Sequence, residues 1–252
     1  MKGWQIFLHS VRQVTGNLEG ALRVSALPYV IAFIVGMVLV GVNNRYGPDA
    51  ANAHAGVFSL ASLLSLAVSI AVSLWMAVAW HRFVLLDERP AGFVPPWKGD
   101  RMVAYFLNGL GYGLVIIIAG VIWATIVGLA LRPVLAGSAV LTVIVMALLV
   151  QLPILTVALR LATALPGAAV GDARGFLAGW KATEGHTADI AVLAVIAVLA
   201  NLALALLGGL LFGRFWILAA AWQFVAGWLL TMIGISILTT LYGHYVQGRR
   251  LV

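Results

Sequence analysis

At 252 residues the chain is 63% hydrophobic and only 9% charged, with a mean hydropathy of +1.07, which leaves too little polar surface to cover a water-soluble globule. A formal charge of +7 without a basic block interleaved with aromatics argues against nucleic-acid binding, and the absence of cysteine excludes disulfides, thiolate metal sites and a cysteine nucleophile. The solvent is a bilayer, and the basic residues belong to membrane topology and anionic headgroups.

The first twenty residues hold Lys2, His9, Arg12, Gln13, Asn17 and Glu19. They interrupt any apolar signal core, so a cleaved signal peptide is not expected. Trp4, Leu8, Val11, Leu18 and Leu22 fall near one face of a 3.6-residue period, with Gln5, His9, Arg12, Asn17, Glu19 and Arg23 opposite. This predicts a helix lying in the cytoplasmic interface and feeding the first span at Pro28, the alternative being a plain extension of that span.

Crossing about 30 Å of hydrocarbon takes about 20 apolar residues in a helix. Six segments qualify: Val24–Val42, Val57–Ala79, Gly109–Leu131, Val140–Leu159, Ile190–Phe212 and Phe215–Leu241. Asn43 to Asp49 reads as a polar exit from the first, Pro90, Pro95 and Pro96 break the chain after the second, and Arg132-Pro133 ends the third. Span two carries Ser62, Ser65, Ser69 and Ser73 on one helical face that ends near His81. These hydroxyls read as a helix-packing face, or as a polar path for a solute or headgroup. Span three carries Gly109, Gly113, Gly120, Ala124 and Gly128, a stripe expected to seat a neighbouring helix. Asn108, Gln151, Asn201 and Gln223 lie in or near spans and need partners there. Gln151-Leu152-Pro153 suggests a break in span four.

Lys2, Arg12, Arg23, Arg82, Arg89, Lys98, Arg101, Arg160, Arg174, Lys181, Arg249 and Arg250 fall on one side of this six-span scheme, whereas Arg45, Arg132 and Arg214 fall on the other. The positive-inside rule reads that split of twelve to three as both termini cytoplasmic. Mixed segments at Trp97–Phe106 and Gly175–His186 precede spans three and five as the first twenty residues precede span one. The chain thus reads as one membrane domain, residues 1–252, built of three copies of interfacial helix plus hairpin at about 4–85, 97–165 and 175–247.

The stretch Arg160-Leu-Ala-Thr-Ala-Leu-Pro166, then Gly175-Phe-Leu-Ala-Gly-Trp180-Lys181-Ala-Thr183-Glu-Gly185-His186, and the closing Leu241-Tyr242-Gly-His244-Tyr245 resemble uncharacterised bacterial proteins related to the membrane domain of some glycerophosphodiester phosphodiesterases. The resemblance implies a six-span domain of the bacterial inner membrane. Those enzymes owe their activity to a separate soluble domain with no counterpart here, so it implies no hydrolase activity.

The carboxylates and histidines are scattered, without the spacing that holds zinc or magnesium; the expectation is a non-enzyme with no cofactor and no metal. Arg160 and Asp189, near span ends, are expected to snorkel. Trp75, Trp80, Trp97, Trp180, Trp216, Trp222 and Tyr242 are expected in aromatic belts. The fold class expected is an all-α transmembrane bundle with interfacial helices. Its first functional reading is a scaffold or accessory factor meeting lipids or a membrane-protein partner through Arg12, Arg23, Lys98, Arg101, Trp180 and Lys181. The second is a small-solute or lipid transporter whose path follows Ser62, Ser65, Ser69, Ser73 and His81.

Overall fold

The computed structural model describes residues 2–51, 55–135, 137–172 and 174–251. Helix α1 (Lys2–Thr15) is followed by a hairpin of α2 (Leu18–Ala51) and α3 (Ala55–Leu86), and then by the long α4 (Gly99–Ala130). A single-turn α5 (Arg132–Leu135) leads to α6 (Ala139–Met146), which passes through a π-helical turn at Ala147–Gln151 into α7 (Leu152–Ala162). Short helices α8 (Leu165–Val170) and α9 (Ala178–Ala182) precede the closing hairpin of α10 (Thr187–Phe212) and α11 (Trp216–Leu241), which ends in a π-helical turn at Tyr242–Val246. Among the described residues, six stretches are long and apolar enough to cross a membrane: Leu18–Leu39, Ser62–Leu86, Gly99–Ala130, Leu141–Val170, Thr187–Phe212 and Trp216–Val246. The fold is the expected all-α bundle. The backbone of α2 continues through the predicted polar exit to Ala51, where the side chains of Asn43 to Asp49 lie outside the described residues.

Two of the three predicted interfacial segments differ from expectation. Trp97–Phe106 is not a separate helix; from Gly99 it forms the first turns of α4, because Met102 and Tyr105 turn into the core. Gly175–His186 contains only the five residues of α9. The copies therefore differ in the very segment that was to define them.

Helix α1 is separate, but its inward face is not the predicted apolar one. Gly3, Ile6, Ser10 and Val14 are buried where α1 packs on α10 and α11, while Trp4 remains 49% exposed. Polar residues are tolerated on this face because they are paired. The Ser10 hydroxyl donates to Ile6 O and to Thr240 Oγ1, and Gln13 Oε1 accepts from Ser236 at 2.7 Å. The approach to α10 is so close that a Cβ on Gly3 would sit 2.8 Å from the Leu193 backbone nitrogen and collide with the Asp189 carbonyl.

The packing is unequal along the bundle axis. Both termini lie at one end, called the base here, where the Lys2 amide meets Asp189 and Arg249 meets the last turn of α3. The three core clusters belong to the base half: Met76 to Trp80 of α3, Met102 to Tyr112 of α4, Ile190 to Ala194 of α10 and Met232 to Leu241 of α11. Toward the other end, large apolar residues such as Leu63, Ile117, Leu210 and Trp216 face outward, as lipid contact demands. Helices α3, α4, α7, α10 and α11 meet as successive neighbours, and α2 packs along α3. Burial is concentrated at the base, while toward the far end particular pairs still meet, as where Trp222 of α11 packs on Leu204 and Gly208 of α10.

Pro153 does not break the fourth span. It has no N–H to offer the carbonyl four residues back, that of Leu149, and the π-helical turn lies just before it. The Trp123 indole of α4 donates to Leu149 O at 2.6 Å instead, so a proline defect becomes an interhelical bond.

The basic end holds together partly through arginines that cap carbonyls. Arg82 Nη1 donates to Ala169 O at the end of α8, and Arg249 Nη2 to Leu85 O at the end of α3. Arg160, expected to snorkel, is buried instead, donating to Thr183 Oγ1 and Trp180 O and lying 3.6 Å from the Trp180 ring centroid. Gly179 lets α9 approach that closely: a Cβ there would sit 2.6 Å from the Arg160 and Leu161 carbonyl oxygens.

Candidate functional site

At the edge of the base-half core an open crevice of about 400 Å³ lies between α3, α4 and α11, lined by Ser69, Ile70, Ser73, Leu74, Met76, Ala77, Tyr105, Thr231 and Ile235. None of these residues is charged. Helix geometry explains the hydroxyls: Ser69 and Ser73 are one turn apart on α3, and Thr231 projects from α11. Thr231 donates back to Gly227 O, the usual fate of a hydroxyl in a span. Among the described residues, no side-chain hydrogen bond is made by Ser69 or Ser73.

Tyr105 closes the crevice toward the base. Its hydroxyl pairs with His81 Nε2 at 3.1 Å, and His81 Nδ1 pairs with Thr239 at 2.8 Å. His81 is fully buried and both ring nitrogens are engaged. It therefore locks α3 to α4 and α11 rather than opening onto the crevice. In the same packed cluster, α8 sets Leu165, Ala168 and Ala169 against Ala77, Val78, Met102 and Tyr105. Its sequence, Leu-Pro-Gly-Ala-Ala-Val, suits a plug: small residues let it seat between helices, and left-handed Gly171 (φ 87) ends it.

Below the plug lie two ion clusters. Glu88 pairs with Arg82 at 2.6 Å and Lys98 at 3.3 Å; burial raises its carboxyl, but hydrogen bonds from both cations outweigh this and hold it below the ordinary value. Asp172 accepts from the Tyr242 hydroxyl at 2.5 Å and from Arg174 at 2.8 Å, which likewise hold its carboxyl low.

Comparison with known protein families, characterised proteins and solved structures gives no match. The site therefore rests on its own geometry. Of the predicted path, Ser69 and Ser73 line the crevice and His81 lies beneath its floor, whereas Ser62 and Ser65 are on the same helical face outside the lining set. Of the predicted headgroup contacts, Arg23 pairs with Glu19, Lys98 with Glu88, and Arg101 with Asp100, while Trp180 covers Arg160. Arg12 and Lys181 are exposed. Tyr105, Thr231 and α8 were missed in the sequence: Tyr105 fell in a segment assigned to the interface, and Leu165–Val170 is too short and bland to signal a plug.

Two members of the predicted aromatic belt are core residues. Trp80 and Tyr242 are fully buried, Trp80 against Phe83 and Tyr242 above Asp172. Trp97 and Trp216 are 62% and 78% exposed, as a belt requires.

Proposed function

We propose that the chain is a non-catalytic membrane carrier of the solute or lipid transporter class, holding its cargo along α3. The observation that carries this reading is the open crevice between α3, α4 and α11, which includes Ser69, Ser73 and Thr231 and is bounded by Tyr105, with α8 packed in the same cluster as Tyr105. A binding crevice between helices that stops at a packed core is what a carrier with alternating access would present in one of its states. The basic base is assigned to the cytoplasm of a bacterial inner membrane, on the twelve-to-three split of Lys and Arg and on the resemblance to the membrane domains noted above. Membrane lipids surround the carrier.

The scaffold reading, with lipids or a membrane-protein partner meeting the base, has less support. Four of its six candidate contacts are held by other residues of the chain. The chain has no native cysteine, so the carrier reading is directly testable. In sealed vesicles of known orientation, the Ser73→Cys chain is expected to react with a membrane-impermeant maleimide added on the side away from the termini. Ala168→Cys, in the plug, is expected to stay inert. An unreactive Ser73→Cys chain would mean a closed packing seam and would overturn the reading.

A further inference from the structure

Where α1 turns into α2, the base carries a second pocket, of about 290 Å³, lined by Leu18, Glu19 and Arg23 of α2, Phe83 of α3, and Arg89 and Pro90 of the loop after α3. Asp87 brings that loop into place: its left-handed backbone (φ 53) ends α3 and turns the chain back, and the Glu88 amide donates to Arg82 O. Arg23 Nη1 donates to Pro90 O, which ties the loop to α2. Gly20 lets the floor approach, since a Cβ there would collide with the Phe83 ring.

The charges of this pocket are paired, but openly. Glu19 meets Arg23 with side chains 77% and 36% exposed, and Arg89 meets Asp87 with both 75% exposed. Ion pairs in such contact with solvent contribute little to stability, so a ligand's charges can take the place of either partner. The guanidiniums also keep donors free. Each has five N–H groups; among the described residues Arg23 uses two, on Pro90 O and Glu19, and Arg89 one, on Asp87.

Helical register indicates what enters. Arg23 stands five residues into a span that begins at Leu18, roughly 8 Å along the helix, a depth within the headgroup layer. Val30 and Met37 follow Arg23 at intervals of seven residues, with Ile34 between them, so the four share one face of α2. Val30, Ile34 and Met37 are exposed, whereas Ala21, Val24 and Ser25, on the opposite face, are buried. The charged pocket therefore sits at the head of a strip that faces hydrocarbon.

We infer that this pocket holds the headgroup of a phospholipid bearing a primary amine, of the phosphatidylethanolamine type. Arg23 and Arg89 take its phosphate, Glu19 takes its ammonium, and its chains run along Val30, Ile34 and Met37. The site is separate from the carrier crevice and does not rest on the carrier reading. Guanidinium forks match phosphate oxygens, and a primary ammonium supplies N–H donors that a carboxylate accepts. A choline headgroup has no N–H for Glu19. A glycerol headgroup brings no cation and leaves that carboxylate facing the lipid's negative charge. A free anion would use the arginines but not the apolar strip.

The test mixes the detergent-solubilised chain with equimolar dioleoyl phosphatidylethanolamine, phosphatidylcholine and phosphatidylglycerol, and counts the bound lipids by native mass spectrometry. Phosphatidylethanolamine should be retained at least about threefold over either competitor. The Arg23→Gln, Arg89→Gln chain should lose that excess. Glu19→Gln should remove the preference over phosphatidylcholine while phospholipid is still retained. Arg12→Gln, which alters an exposed cation of the base outside the pocket, should leave the excess intact. No excess in the unaltered chain, or an excess of phosphatidylglycerol, overturns the headgroup class, and an excess that survives the arginine changes overturns the site. Should the double variant fail to fold, Glu19→Gln decides: retained discrimination between the ethanolamine and choline lipids overturns the proposal, and lost discrimination upholds it.

Discussion

Trp123 and Pro153 form a pair that neither residue reveals alone. The indole supplies Leu149 O with the donor that the proline ring cannot. Replacing Trp123 by Phe keeps the aromatic bulk and removes the N–H, at an expected cost of about 1–2 kcal/mol for the abandoned carbonyl. Adding Pro153→Ala restores a backbone donor to the same oxygen, so the double variant should regain most of the loss. Thermal unfolding in detergent of both single variants and the double one measures this, and strictly additive losses would count against the pairing. The sequence showed Pro153 as a helix defect, because the missing N–H is local chemistry. What answers the defect comes from another helix and has no local signal. His81 is similar: its place on the serine face was legible, but its two partners, Thr239 and Tyr105, lie on α11 and α4.

At the scale of elements, glycine spacing proved a poor guide to close contact. In the predicted stripe on α4, a Cβ on Gly120 would come 3.1 Å from Ile154 Cδ1, while Gly113 and Gly128 have nothing within 4 Å. The tightest approaches to the backbone of a different helix are at Gly3 and Gly179, both in segments that were read as interfacial. Gly3→Val should force α1 off α10 at a cost of about 1–3 kcal/mol, and Gly113→Leu should leave stability unchanged. Melting temperatures of the two variants decide the matter, and equal losses would mean that the stripe seats a helix after all. The six long helices were legible because a bilayer imposes their length and apolarity. The inward faces were not, since lipid and protein core are equally apolar and the pattern that separates inside from outside in water is lost. On α1, too short at 14 residues to cross a membrane, the error had another source: Ser10 and Gln13 count as polar by type, yet pair with α11 on the inward face.

For the molecule as a whole, the base is the organising unit, and two carboxylates fasten it. Glu88 joins the end of α3 to the start of α4, and Asp172 joins the loop after α8 to the end of α11. Both titrate below the ordinary carboxylate value. A depressed folded pKa means that each group's stabilisation is complete above its unfolded value, about 4, and is lost as the pH falls through the folded value. Stability should therefore be flat near neutrality and decline below about pH 4. The Glu88→Gln, Asp172→Asn chain should start lower at pH 7 and lose less on acidification, and an unchanged acid slope would show that other groups govern it. Charge segregation made legible that both termini lie at one end of the bundle. The crevice was not, because a gap between equally apolar helices leaves no mark on composition.

The arginines of the base also bear on how the chain avoids misassembly. Positive charge guides each hairpin during insertion, yet Arg82, Arg160 and Arg249 end as donors to the backbone of α8, α9 and α3. A hairpin threaded the wrong way would strand its arginine on the opposite surface and leave the carbonyl it should cap without that donor. The same side chains that gather positive charge at one end of the bundle thus also tie that end together, and an inverted hairpin would lack these bonds.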